Sequence, residues 1–134
     1  MQVVRIQTHQ KMEMLDITDA VRQAVRERSI TDGMAVVYSP HTTAAVTVNE
    51  NWDPDVIHDV LMFLRQRIPT QYPGFRHGEG NSDSHLMANL IGTSQTLIID
   101  QGDIVLGQWQ GIFFCEFDGP RERQFYVQLT GVTS

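Results

Sequence analysis

The sequence carries one cysteine, Cys115, in 134 residues. A lone thiol excludes an internal disulfide and fits a reducing compartment. Basic runs are absent too: the densest spot, Arg22, Arg26 and Arg28, is interrupted by Glu27. With a formal net charge of −6 and a pI near 5.2, this argues against nucleic acid as the main partner. No apolar run approaches the ~20 residues of a membrane span, so no membrane partner is expected. The N-terminus, Met1-Gln2-Val3-Val4-Arg5-Ile6, alternates like a strand and lacks a signal-peptide core. Repeats, linkers and low-complexity stretches are also missing. These absences predict a soluble, cytoplasmic protein. What remains is ordinary globular composition, 41% hydrophobic and 19% charged. It predicts a single domain over residues 1–134, large enough to bury about two thirds of its unfolded-chain surface.

The patterning predicts an α+β domain with a mostly antiparallel sheet and two or three helices. Val3 to Thr8 and Met12 to Ile17 read as paired strands. Thr18 is placed to cap a helix carrying Val21, Ala24, Val25 and Arg28 at helical spacing. Asp32-Gly33 reads as a turn into Met34 to Tyr38, a central strand apolar on both faces. Thr43 to Asn49 alternates. Asp53-Pro54 starts a second helix with an apolar stripe of Val56, Ile57, Val60, Leu61 and Leu64, which Pro69 ends. A glycine-rich loop over 73–81 leads to a short helix from Ser82 or Asp83, predicted to bury Leu86, Leu90 and Ile91 and to stop at Gly92. Thr96 to Ile99 and Ile104 to Leu106 flank a turn at Asp100 to Asp103. Gly111 to Phe117 and Gln124 to Thr130 are the last strands.

Chemistry-bearing residues gather in three polar stretches. The first runs from His77 to His85. Its histidines are eight apart, not at the i, i+4 spacing of a helical zinc pair, but a glycine-rich loop can fold them together. Asn81, Ser82 and Asp83 can cap the following helix, whose N-terminus favours anions. The bland alternative is a surface loop with capping residues. The second is Ser39-Pro40-His41-Thr42-Thr43. Proline after a central strand forces an irregular exit and puts His41 at a strand end. A third imidazole there would complete a three-histidine facial set suited to a divalent metal. Alternatively His41 is a hydrogen-bonded corner residue, with Thr42 and Thr43 serving the sheet.

Asn49 and Glu50 pose a distance problem. In one extended strand, His41 and Asn49 lie about 26 Å apart, at roughly 3.3 Å per residue. Either the strand bends, or the Asn49 end serves a neighbouring subunit, or these residues only end the strand. The third polar stretch is Glu116 to Arg123. Along Ile112 to Asp118, one face carries Ile112, Phe114, Glu116 and Asp118, and the other Phe113, Cys115 and Phe117. Cys115 thus falls in an apolar row and is no nucleophile. Glu116 and Asp118 are the candidate general bases or histidine-orienting groups. Beyond Gly119-Pro120, Arg121 and Arg123 could grip phosphate or carboxylate through forked hydrogen bonds. The alternative is a charged turn with internal ion pairs. His9 and His58 read as surface residues, Trp52 and Trp109 as core or interface, and the methionines as packing.

Taken in order, Ser39-Pro40-His41-Thr42-Thr43-Ala44 with Asn49-Glu50, His77 with Asn81 and His85-Leu86, Gly107-Gln108-Trp109-Gln110, and Glu116 to Arg121 resemble the YjbQ-like family, described as secondary thiamine-phosphate synthases. The resemblance implies a sheet curling toward a barrel, a homotrimer, and a pocket near the matched histidines. It implies His41, His77 and His85 as ligands of a divalent metal, zinc or magnesium, and Glu116, Asp118 and Arg121 as pocket residues. Thr42, Thr43, Asn49, Glu50, Asn81, Ser82, Arg121 and Arg123 together form the expected substrate- or anion-binding set, with Glu116 and Asp118 catalytic. The implied reaction joins a pyrimidine methyl diphosphate to a thiazole phosphate and releases diphosphate, so the expected partner is a small phosphorylated substrate. Dedicated synthases of this reaction are TIM barrels of about 250 residues, so any such activity here is convergent. A non-catalytic anion- or metal-binding module and a metal-dependent hydrolase are the other readings.

Overall fold

A computed structural model describes residues 1–133. Eight strands and three helices follow in the order β1 (Gln2–Gln7), β2 (Glu13–Asp16), α1 (Thr18–Arg28), β3 (Ile30–Tyr38), β4 (Ala44–Glu50), α2 (Pro54–Arg67), α3 (Ser82–Ile91), β5 (Ser94–Asp100), β6 (Asp103–Ile104), β7 (Gln110–Glu116) and β8 (Glu122–Thr133). They form a five-stranded sheet, β1-β8-β3-β5-β6, and a three-stranded sheet, β2-β7-β4, and every strand pair is antiparallel. The two sheets curl around a shared core as a half-barrel, and the class is the α+β one predicted.

The three-stranded sheet is apolar on both faces because it lies between two cores. Inward, Ala44, Val46, Ile112 and Phe114 meet Val37, Ile99 and Phe125 of the larger sheet, with Val21 and Val25 of α1 closing the cluster. Outward, Ala45, Phe113, Cys115 and Phe117 meet Met87 and Ala88 of α3 and the half-buried Ile57, Leu61 and Leu64 of α2. Alternation of side chains along β7 feeds both cores from one strand. Cys115 is buried there, and burial pushes its thiol up to about 12, which agrees with its exclusion as a nucleophile.

Three sequence expectations change. Asp32-Gly33 is not a turn but lies within β3, paired with Asp100 and Ile99 on β5. Gly33 opposes Gly131, and a Cβ on Gly33 would sit 2.0 Å from the Thr130 carbonyl oxygen. Here glycine serves close backbone approach rather than chain reversal. Thr18 does not cap α1: Asp16 accepts from the Thr18 amide at 2.9 Å and its hydroxyl at 2.6 Å. Leu86 and Leu90 are not buried, at 41% and 67% exposed; Met87 and Ala88 face the core instead. Of the core and interface readings for Trp52 and Trp109, the core one is excluded: both are exposed and pair with ring centroids 5.7 Å apart. The Asp53 cap of α2 holds, accepting from the Asp55 amide at 2.9 Å.

Gly33→Ala is expected to destabilise the fold by about 1–3 kcal/mol through overpacking. Gly78→Ala, where an added Cβ meets nothing within 4 Å, is expected to stay within about 0.5 kcal/mol. Urea denaturation of both variants checks the contrast.

Candidate functional site

The site grows from the end of the inner core. Glu116 closes β7 on the same face as Phe114, and Arg123 opens β8 beside it. Their side chains are 0% and 3% exposed. Arg123 donates from Nε to Glu116 Oε1 at 2.9 Å and from its Nη2 to Oε2. Thr8 Oγ1 donates to Oε1 at 2.7 Å and the Asp118 amide to Oε2 at 3.0 Å. Burial pushes the Glu116 carboxyl up, but these donors outweigh it and hold it below the usual glutamate range. Arg123 also donates to Thr43 Oγ1 at 2.8 Å. Two expectations are therefore corrected. Glu116 is not a catalytic base, since it is enclosed with both oxygens engaged. Arg123 and Thr43 line the cleft described below, but the Arg123 Nε and Nη2 donors and the Thr43 hydroxyl are engaged within the buried cluster rather than held out toward an anion.

The turn after β7 brings its second acid to the surface. Asp118 accepts from Asn81 Nδ2 at 2.8 Å and from the Arg121 guanidinium at 3.1 Å, while Lys11 lies 3.5 Å away. Burial opposes ionisation of Asp118, but Asn81, Lys11 and Arg121 hold its carboxyl below the usual range. Asp118 is thus an anchored anion that orients cations rather than a base tuned near neutrality. Lys11, the only lysine in the sequence, was not foreseen; no local motif surrounds it. Gly119 makes its approach possible: the Gly119 amide donates to the Lys11 carbonyl at 3.1 Å, and a Cβ there would lie 2.3 Å from the Gln10 carbonyl oxygen. Half-exposed Arg121, clamped by the Asp118 carbonyl at 2.9 Å and carboxylate, presents its remaining donors outward.

The glycine loop does fold its histidines together. His77 and His85 have ring centroids 5.1 Å apart, edge to face. Gly80, at φ +73°, turns back to the His77 carbonyl, a conformation that favours glycine. Ser84 Oγ donates to the Phe117 carbonyl at 2.6 Å, fixing the start of α3 against the turn carrying Asp118. His41 joins them around a cleft of about 370 Å³ that also exposes Thr42, Glu79, Asp118 and Arg121. The His41 ring is edge-on to Phe114, and its Nε2 accepts from the Gln124 amide at 3.0 Å. Burial and the nearby Arg123 hold His41 below its usual value. A neutral imidazole has one lone pair, and the Gln124 amide takes it.

That contact occupies the lone pair that His41 would offer a metal. His41 ligates nothing unless it gives up Gln124. Among the described residues, no group of three or more histidine, cysteine, aspartate or glutamate side chains converges to hold a metal ion. His77 and His85 remain as an adjacent imidazole pair. Asn49 and Glu50 lie at the far end of β4, paired with Gly111 and Gln110, and do not line the cleft. Ser82 opens α3 without lining it. Asn81 does line it, with its amide committed to Asp118.

An antiparallel half-barrel with a histidine pair and a clamped arginine at one end defines the structural class. The family model for UPF0047 protein YjbQ-like matches residues 2–132. The chain belongs to this family. It is 52% identical to UPF0047 protein MJ1081 of Methanocaldococcus jannaschii, over 95% of this chain and 91% of that protein. It is 44% identical to UPF0047 protein YugU of Bacillus subtilis, over 98% and 99%. A crystal structure of a YjbQ/UPF0047 family protein from Clostridium acetobutylicum matches with TM-score 0.94 at 46% identity, covering 97% of this chain and all of that one. A YbjQ-like protein of unknown function from Sulfolobus solfataricus matches with TM-score 0.92 at 30% identity, covering 98% and 96%.

Glu116→Gln is expected to cost about 3 kcal/mol, because it leaves a buried guanidinium underpaired, while a Glu116→Leu/Arg123→Met double variant loses less; urea midpoints decide. His41 gives a pH signature. Its folded-state value is depressed, so the unfolded chain binds more protons, and stability falls as pH drops from about 6.5 toward that value. His41→Gln is expected to flatten this slope across roughly pH 5–7 in thermal unfolding.

Proposed function

We propose that this chain binds a small phosphorylated ligand in the histidine cleft and acts as a slow transferase of the thiamine-phosphate synthase type. The reading is carried by one observation: the half-exposed Arg121 guanidinium, held by Asp118 beside the His77–His85 pair. Arg121 and Lys11 supply positive charge for phosphate oxygens, Asp118 fixes their direction, and Thr42 offers a hydroxyl at the rim. His77 and His85 would hold a divalent ion, zinc rather than magnesium by donor type. Such an ion supplies charge stabilisation to a departing diphosphate. In the reaction itself, a thiazole nitrogen lone pair forms a C–N bond to the pyrimidine methyl carbon. The C–O bond to diphosphate breaks and its electrons leave with that group.

This displacement removes no proton at the bond being made. The engagement of Glu116 and the anchored state of Asp118 therefore count less against it than against hydrolysis, which must activate water. They do favour the second reading, a non-catalytic module for a small anionic ligand, which shares the same cleft.

The same proposal includes a homotrimer. The outer face of the five-stranded sheet exposes Met34, Tyr38 and Ile98, and the helical side exposes Phe63 and Trp52. Two different apolar faces make a head-to-tail contact that closes into a ring. Asn49 and Glu50, remote from their own cleft, would then stand near a neighbour's. No described helix is long and apolar enough to cross a membrane.

Inorganic diphosphate titrated calorimetrically, with and without zinc, is expected to bind the wild type. Arg121→Met is expected to weaken binding at least about tenfold with an unchanged unfolding midpoint. Wild-type protein that binds neither phosphate nor diphosphate under either condition would sink the proposal. Product formation abolished by Arg121→Met selects the transferase; ligand binding without turnover selects the module.

A further inference from the structure

Beside the polar cleft lies a second hollow of about 430 Å³, reached across His41, Thr42 and His85, which belong to both. Its remaining walls are Leu86, Ala88, Asn89 and Thr93. Its chemistry differs from the cleft's: no acid, arginine or lysine lines it. Leu86 is a helix leucine left 41% exposed, although α3 buries Met87 and Ala88 on its core side. An apolar side chain turned into a concave surface next to charged groups is how small-molecule sites hold the uncharged part of a ligand.

We infer that this hollow is the body subsite of the phosphate cleft, and that the protein selects phosphorylated alcohols with a compact apolar or planar body over phosphorylated polyols. The inference rests on the phosphate reading of the cleft. Its length follows from α3. His85 and Asn89 are four residues apart on one helical face, about 6 Å along the axis. That is the span of a single ring or a short branched chain. The phosphate end faces Arg121, the body crosses between His41 and His85, and it lies along Leu86. At the far end Asn89 and Thr93 can meet one polar edge. A sugar phosphate would press hydroxyls against Leu86 and Ala88 without partners, and a polar group buried without a hydrogen bond is disfavoured.

Calorimetry with three probes tests this: inorganic phosphate, glycerol 3-phosphate and phenyl phosphate, against wild type, Leu86→Asn and Thr93→Phe. Wild type is expected to bind phenyl phosphate at least tenfold tighter than either of the others, roughly what burying one small apolar body yields. Leu86→Asn makes the wall polar without adding charge and Thr93→Phe fills the hollow; each is expected to erase that preference while inorganic phosphate binds as before. Both positions lie at the surface, and unchanged phosphate binding certifies the fold. Phosphate bound without preference for phenyl phosphate, or a preference surviving both variants, overturns the subsite and leaves the cleft intact. No probe bound by the wild type overturns the phosphate reading and this inference with it.

Discussion

The buried Glu116–Arg123 pair is the contact on which the rest of the site depends. It joins four chain segments at one end of the core: the end of β7, the start of β8, Thr8 after β1, and Thr43 before β4. A carboxylate with donors on both oxygens tolerates burial that an isolated charge would not. Such a pair adds little net stability over an apolar replacement. Its value is directional: a guanidinium and a carboxylate fit together in few geometries. The turn from Phe117 to Arg121 is therefore hung from a fixed point. Burial first and Arg123 second hold His41 below its usual value, which favours the ring form that can accept the Gln124 amide.

Packing on the opposite side of the small sheet supplies the second wall. Because β7 alternates between two cores, α3 can lie against the outward row at Ala45, Phe113 and Cys115. Ser84 then ties the helix start to Phe117, which brings His85 over the turn. His77 follows through the glycine loop. The cleft is thus a seam between an internally locked sheet end and a helix docked on its other face. That origin accounts for its two halves: the turn contributes charge, and the helix contributes Leu86 and Ala88.

Much of this was legible in the sequence. Alternation revealed the strands, Asp53-Pro54 marked α2, and the ordered polar stretches gathered at one end as the resemblance implied. The errors share a physical origin. Gly33 reads as a turn glycine because a local window cannot show the backbone of β8 pressing against it. Leu86 and Leu90 read as core because helical periodicity alone leaves the direction of an apolar face open when Met87 and Ala88 offer another. Lys11 escaped notice because its partner, Asp118, is distant in sequence. For His41 a local window shows a free imidazole, because its contact with the Gln124 amide is supplied only by strand docking.

The most consequential ambiguity lies in residues 116–123. Two acids two residues apart, then two arginines two residues apart, look equivalent, since alternation puts each pair on one face of an extended strand. The turn breaks the equivalence. Chain reversal at Gly119-Pro120 nests the pairs: Glu116 meets Arg123 outside, and Asp118 meets Arg121 inside. The outer pair lies in the strands and points into the core. The inner pair lies in the turn and faces solvent, where Lys11 and Asn81 can reach it. One charge pattern thus yields a rigid anchor and an adjustable site, separated by a single register step. Chemistry belongs to the inner pair because Glu116 accepts on both oxygens and Arg123 spends its Nε and Nη2 donors on Glu116 and Thr43.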